Sequence, residues 1–308
     1  MHKSSNYAYS TLQKYLRQIL VRVISVVIGV LTSGSVALCG PAIGQFEVKH
    51  LSATPGEIEF QSQNAHMFGN PERDLRNDSG EIQYDDNSVT KQRHALELEF
   101  GITNRLKSRI GIEYEKERLD EPDTPEQADE FSGLELSEIG AEVIWVVDPI
   151  KENDFGFGLV AEYEQPLEDE EASLLLVGSI FQVDRGEWSS IINLYLVKHL
   201  GGDEPQDEKV DFAYATQVGY SLNRDWQIAL EAYGTVDRIG NTGSMGEEAQ
   251  LFGDHDQHRI GPVFYYSGGL GADSSEEESS VSVGVGLLVG LNGNTPDTTL
   301  KWSIEVEF

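Results

Sequence analysis

Positive charge is scarce in this chain: 22 Lys and Arg stand against 53 Asp and Glu, giving a net charge of −31. Nucleic-acid binding needs a basic footprint that displaces phosphate counterions, so nucleic acid is excluded as a partner. Cysteine is almost absent, and its one instance, Cys39, falls in an N-terminal stretch unlike the rest. Without that stretch, disulfide scaffolds and thiol chemistry are excluded. No apolar run approaches the ~20 residues of a spanning helix. After Gln45 no useful window shows the i, i+3, i+4, i+7 spacing of an amphipathic helix. Phosphate loops, dinucleotide fingerprints and the G-x-S-x-G elbow are also missing.

What is present begins with residues 1–44, which carry Lys3, Lys14, Arg17 and Arg22, no acid, and the apolar run "VISVVIGVL". This pattern reads as a secretory signal peptide. Small residues at Ala42 and Gly44 place cleavage before Gln45, with a competing site after Ala37. Leu38 precedes Cys39 where a lipoprotein signal carries a small residue, which argues against lipidation. Loss of four positive charges would take the net charge from −31 to −35 in a single domain spanning 45–308.

From there, period-two alternation recurs in segments of about ten residues separated by Gly, Asp, Asn, Pro and Ser. Twelve strands are predicted: 57–68, 92–102, 106–116, 136–147, 155–164, 173–184, 187–198, 209–222, 226–237, 258–266, 281–291 and 299–308. The tenth is the doubtful one, because Pro262 cannot donate to a ladder. Apolar faces such as Leu96/Leu98/Phe100/Ile102 and Val281/Val283/Val285/Leu287/Val289/Leu291 suit either a sandwich core or the lipid around a closed barrel.

Two patterns favour the barrel. Short links at 103–105, 148–154, 184–187 and 223–225 interleave with longer acidic ones, as short turns and long external loops do in outer-membrane barrels. The alternation breaks at 267–280 and 292–298, which leaves a late strand open to misassignment. Trp145, Phe155, Trp188, Tyr220 and Trp226 all adjoin short turns, and so would form one interfacial girdle.

The last ten residues, "TLKWSIEVEF", alternate Leu300, Trp302, Ile304, Val306 and Phe308. This ending resembles the C-terminal signature of bacterial outer-membrane β-barrels. The resemblance implies an antiparallel transmembrane barrel of about twelve strands in the outer membrane. It also implies lipid and lipopolysaccharide as surroundings, and recognition of Trp302, Ile304, Val306 and Phe308 by the barrel assembly machinery. The strand spacing is also similar to porin-like envelope barrels of proteobacteria, some of them linked to transport for aromatic-compound pathways.

With apolar residues toward lipid, the alternate positions face the lumen, and many are acidic. Glu57, Glu59, Glu97, Glu99, Glu305 and Glu307 are expected in the periplasmic half, with Lys107 and Arg109 as counter-charges and Lys301 and Arg93 further off. Glu113, Glu115, Glu138, Glu142, Glu162 and Glu164 fall toward the external half, and a one-residue slip would turn either group outward. The 173–184 segment, apolar on both faces with Leu174, Leu175, Leu176 and Val177, could carry apolar residues into the lumen and narrow it. Such a lumen either solvates and cross-links the interior or forms a cation-preferring pore for small solutes.

The acidic loops "ERLDEPDTPEQADE", "EDEE" and "SSEEESS" read as solvated surface, the alternative being bridges to lipopolysaccharide through divalent cations. No cofactor is implied. "GDHDQHR" brings together Asp254, His255, Asp256 and His258, a polar loop with the residue types of a metal site. A lipid hydrolase would need Ser190 or Ser179 near His258. The leading reading is a porin-like channel with an acidic lumen, and the alternative is a structural or adhesive plugged barrel whose loops do the work.

Overall fold

A computed structural model describes residues 46–69, 73–76, 82–86, 88–119, 134–150, 154–167, 172–201, 210–236, 256–269, 279–293 and 295–308. The signal-peptide assignment therefore lies outside the described residues. The strands are β1 (Ile58–Phe68), β2 (Arg73–Arg76), β3 (Ile82–Asp86), β4 (Ser88–Thr103), β5 (Leu106–Leu119), β6 (Glu135–Asp148) and β7 (Phe155–Pro166). They continue with β8 (Ser173–Arg185), β9 (Trp188–Leu200), β10 (Asp211–Ser221), β11 (Trp226–Val236), β12 (Gln257–Gly269), β13 (Ser280–Gly290) and β14 (Thr298–Glu307).

Twelve of them, β1 and β4 to β14, close into an antiparallel barrel in which β14 pairs with β1. All twelve predicted strands are present. The short hairpin β2–β3 within the link from β1 to β4 was not foreseen. Pro262 does not remove β12: its ladder to β13 skips Gly261 and Pro262, then resumes at Val263↔Gly286 in the same register. The break in loop alternation is thus a property of the barrel and not a misassigned strand. Residues 270–279 connect at the short-turn end, and 291–297 at the other.

Alternation sorts the side chains as a barrel in lipid requires. Leu230 and Trp188 are 51% and 56% exposed, whereas Ile144, Val146, Ile180 and Ala215 are at most 1% exposed. Exposure of large apolar residues on the outer wall, with polar and small residues buried within, is the inverse of a soluble core. At the short-turn end, Trp188 packs on Tyr220 (centroids 4.9 Å apart) and Trp226 on Tyr266 (5.0 Å), forming the girdle. Leu300, Trp302, Ile304, Val306 and Phe308 all lie on the lipid face of the closing strand.

The lumen is filled in part by residues 46–57, a strap that precedes β1. At its exit, Gly56 N–H donates to Gly101 C=O (2.8 Å) and Gly101 N–H to Glu57 C=O (2.9 Å). A Cβ on Gly101 would stand 1.8 Å from Thr54 C=O, so only glycine lets the strap cross β4 there.

Candidate functional site

The inner wall divides by chemistry. From β4 to β7 its described side chains include eight carboxylates, Glu97, Glu99, Glu113, Glu115, Glu138, Glu142, Glu162 and Glu164, against four cations, Lys91, Arg93, Lys107 and Arg109. From β8 to β10 it is mostly apolar, with Leu174, Leu176, Ile180, Ile191, Tyr195, Val197, Ala213 and Ala215 buried. Strand register sets the charged wall in rows. Glu99, Arg109, Glu142 and Glu162 are direct neighbours across β4–β7, and one row along come Glu97, Gly111, Gly140 and Glu164.

Most of these charges pair. Lys107 Nζ meets Glu99 at 3.0 Å, and Arg109 reaches Glu99 (3.0 Å) and Glu97 (3.4 Å). Arg93 binds Glu113 and also Glu138 (3.3 Å), and Lys91 binds Glu115. Breaking such buried pairs costs more than exposed ones because the remaining charge stays desolvated.

The strap adds residues that alternation could not assign. Arg109 donates to Glu47 at 2.8 Å. Lys49 Nζ donates to Glu142 and to Glu162 (3.2 Å), while its backbone is clamped by Asn193: N–H to Oδ1 at 2.7 Å, and Nδ2 to its C=O at 2.9 Å. Leu51 N–H donates to Gln182 Oε1 (3.0 Å). Phe46 C=O accepts from Tyr233 Oη and Lys301 Nζ, both at 2.8 Å, and its ring lies 4.5 Å under the Arg259 guanidinium. Eight strands, β4 to β9, β11 and β14, thus hydrogen-bond the strap, which crosses the lumen rather than lining one wall.

Burial would raise the Glu47 carboxyl, but Arg109 and then Lys49 hold it well below the usual range. Burial would likewise lower the Lys49 ammonium, yet Glu142, Glu162 and Glu47 hold it well above its ordinary value. Lys107 and then burial push His50 down to about 4.

A second centre surrounds Glu231, which is fully buried. It accepts from Lys301 (2.7 Å), Tyr233 (2.6 Å), Gln217 (2.8 Å) and Tyr265. Lys301, expected as a more distant counter-charge to the periplasmic acids, pairs with Glu231 instead. Its backbone partner on β1 is Ala65, and its side chain runs over Gly286 toward β11. Glu231 occupies an inward position of a predicted strand, so alternation alone could have found it.

Of the remaining expected lumen residues, Glu59 is buried between Glu99 and Glu307 in the pairing, and Glu305 faces Gln61. Glu57 is half-buried at the strap exit, and Glu307 is exposed at the rim, accepting from Ser280 Oγ (3.1 Å). Asp254 and His255 lie outside the described residues. Asp256 and His258 are buried, with His258 Nδ1 3.1 Å from Tyr214 Oη, and no group of three metal-type ligands occurs among the described residues. Ser190 pairs with Val218 near the short turns, whereas His258 pairs with Gly234 at the opposite end of β11. Ser179 sits on β8, four strands from β12. The fold does not bring either serine to His258.

No protein-family model matches the chain, and no curated protein matches it. Among solved structures, an outer-membrane channel from Pseudomonas putida F1 aligns over 88% of this chain and 98% of its own, with a TM-score of 0.51 at 11% identity. The NanC porin aligns over 82% and 98% (TM-score 0.45, 9% identity). The KdgM porin aligns over the same shares, 82% and 98% (TM-score 0.42, 9% identity). The first of these likenesses supports the fold, that of a bacterial outer-membrane barrel, and the lipid-facing belt agrees with it.

Proposed function

We propose that this protein is a narrow outer-membrane channel for small cations, held shut at rest by its own N-terminal strap. One observation carries the reading: eight carboxylates against four cations among the described side chains of the β4–β7 wall, with the strap anchored across the space they face. Excess fixed negative charge at a constriction with low-dielectric walls concentrates cations and repels anions. The apolar β8–β10 wall narrows the passage opposite and favours small solutes over bulky hydrated ones. In this reading the outer-facing Trp302, Ile304, Val306 and Phe308 are the surface that the assembly machinery reads, and the acidic loops meet lipopolysaccharide through divalent cations.

The strap's eight-strand anchorage also favours a second reading, a plugged barrel that serves as a scaffold for its loops. Planar-bilayer recording separates the two. A channel gives discrete conductance steps that become more frequent when the strap is loosened, with a zero-current potential set by cations. A scaffold gives no steps in either state.

A further inference from the structure

The row Glu97–Gly111–Gly140–Glu164 differs from every row around it. Two glycines floor it, and a carboxylate stands at each end. A Cβ on Gly111 would meet Glu97 Cγ at 3.1 Å, and one on Gly140 would meet Glu164 Cγ at 3.8 Å, so both glutamates lean over the glycines. The result is a small recess, open to the lumen, bordered by Glu113 and Glu138 on one side and by Arg109 and Glu142 on the other.

The charges bordering it are unequally satisfied. Glu113 and Glu138 share Arg93, Glu142 holds Lys49, and Glu97 has Arg109 at 3.4 Å. Glu164 is only 8% exposed, lines the recess, and has no hydrogen-bond or ion-pair partner among the described residues. A buried carboxylate without a partner is costly, and it is stabilised when a cation arrives.

The neighbouring row indicates what kind of cation fits. There the primary ammonium of Lys49 sits between Glu142 and Glu162, donating to both. An ammonium has three donors that can reach carboxylates spread around it. A hard metal ion needs several oxygens converging at 2.0–2.6 Å, and no cluster of three such ligands occurs among the described residues.

We propose that the recess between Glu97 and Glu164 is a binding subsite for the ammonium head of a small organic amine. Glu164 is its primary anion, Glu97 its secondary one, and Gly111 and Gly140 provide the space. The proposal rests on the cation-channel reading and names a solute class for it. Alternate inward positions along a strand lie roughly 7 Å apart. With Lys49 neutralised, a four-carbon diamine would therefore span from the recess to the Glu142–Glu162 pair.

Isothermal titration calorimetry of the purified full chain in detergent tests this, using methylammonium and 1,4-diaminobutane against sodium chloride of matched ionic strength. Wild type should bind methylammonium saturably. Glu164→Gln should weaken that binding at least tenfold, and Glu187→Gln, on the β8–β9 turn, should leave it unchanged. Gly140→Val fills the floor without altering charge and should give the same loss. In Lys49→Gln, 1,4-diaminobutane should bind at least tenfold more tightly than to wild type. Saturable binding that survives both Glu164→Gln and Gly140→Val overturns the subsite, as does the absence of saturable methylammonium binding in wild type and Lys49→Gln alike. The channel reading fails separately: anion preference in a bilayer sinks it whatever the calorimetry shows, and cation preference without amine binding sinks the subsite alone.

Discussion

Asn193 is the residue on which the strap's position should depend most clearly. It is fully buried on β9 and clamps the Lys49 backbone through two hydrogen bonds, of 2.7 and 2.9 Å. Asn193→Ala removes both partners and leaves a backbone N–H and C=O unpaired inside the lumen. Each such group costs about 1–3 kcal/mol when buried. Taking the low end for both, because a lumen admits some water, the docked strap loses roughly 2 kcal/mol, equivalent to about thirtyfold in its docking equilibrium. Leu51 offers the readout: it is 3% exposed and packed against Gly156 and Gly158. In a Cys39→Ser background, Leu51→Cys should react with a maleimide at a rate proportional to the fraction of undocked strap. Adding Asn193→Ala should raise that rate about thirtyfold. Rates within twofold of one another would show that the strap is not held by this clamp, and the gating argument would fail with it.

Three further outcomes follow from the same geometry. Glu231→Ala strands the Lys301 ammonium in a buried site and should cost about 3–5 kcal/mol, read as a lower urea midpoint and an earlier heat-modifiable gel shift. Leu230→Arg places a charge at mid-strand on the lipid face and should cost about 2–4 kcal/mol in bilayers, whereas a drop smaller than 1 kcal/mol would argue that this face does not meet lipid. The third concerns acid. His50, facing Lys107, Glu99, Glu47 and Arg109, has a docked value of about 4 against 6.5 when free. Below pH 6.5 the free strap takes up a proton that the docked strap refuses, so docking weakens as pH falls from 6.5 to about 4, by at most about 3 kcal/mol. Labelling at residue 51, divided at each pH by the rate at the exposed turn position in Leu222→Cys so that the loss of thiolate cancels, should therefore rise over that window, and His50→Gln should remove the part of the rise that His50 causes.

The barrel was legible because its rules are local. Period-two alternation, turn chemistry and girdle aromatics are each read within ten residues, and they located all twelve strands and the inward register of Glu97, Glu99, Arg109, Glu113, Glu142 and Glu162. Pro262 misled only because a local rule weakens where the β12–β13 ladder has a gap. The strap was not legible. Residues 46–57 have no alternation to read, and their partners are far along the chain: Lys49 meets Glu142 and Glu162 at separations of 93 and 113 residues, and Asn193 at 144. Lys301 fails for a related reason. Its face was predictable, but the missing side chain at Gly286 lets it reach Glu231 on β11 instead of the acids of β1.

The central claim, a cation-preferring passage gated by the strap, is tested most directly by the zero-current potential across a planar bilayer under a potassium chloride gradient, recorded with Asn193→Ala. The account predicts discrete conductance steps and a potential whose sign shows potassium permeating faster than chloride. A potential of opposite sign, or no conductance even with the strap released, would contradict it.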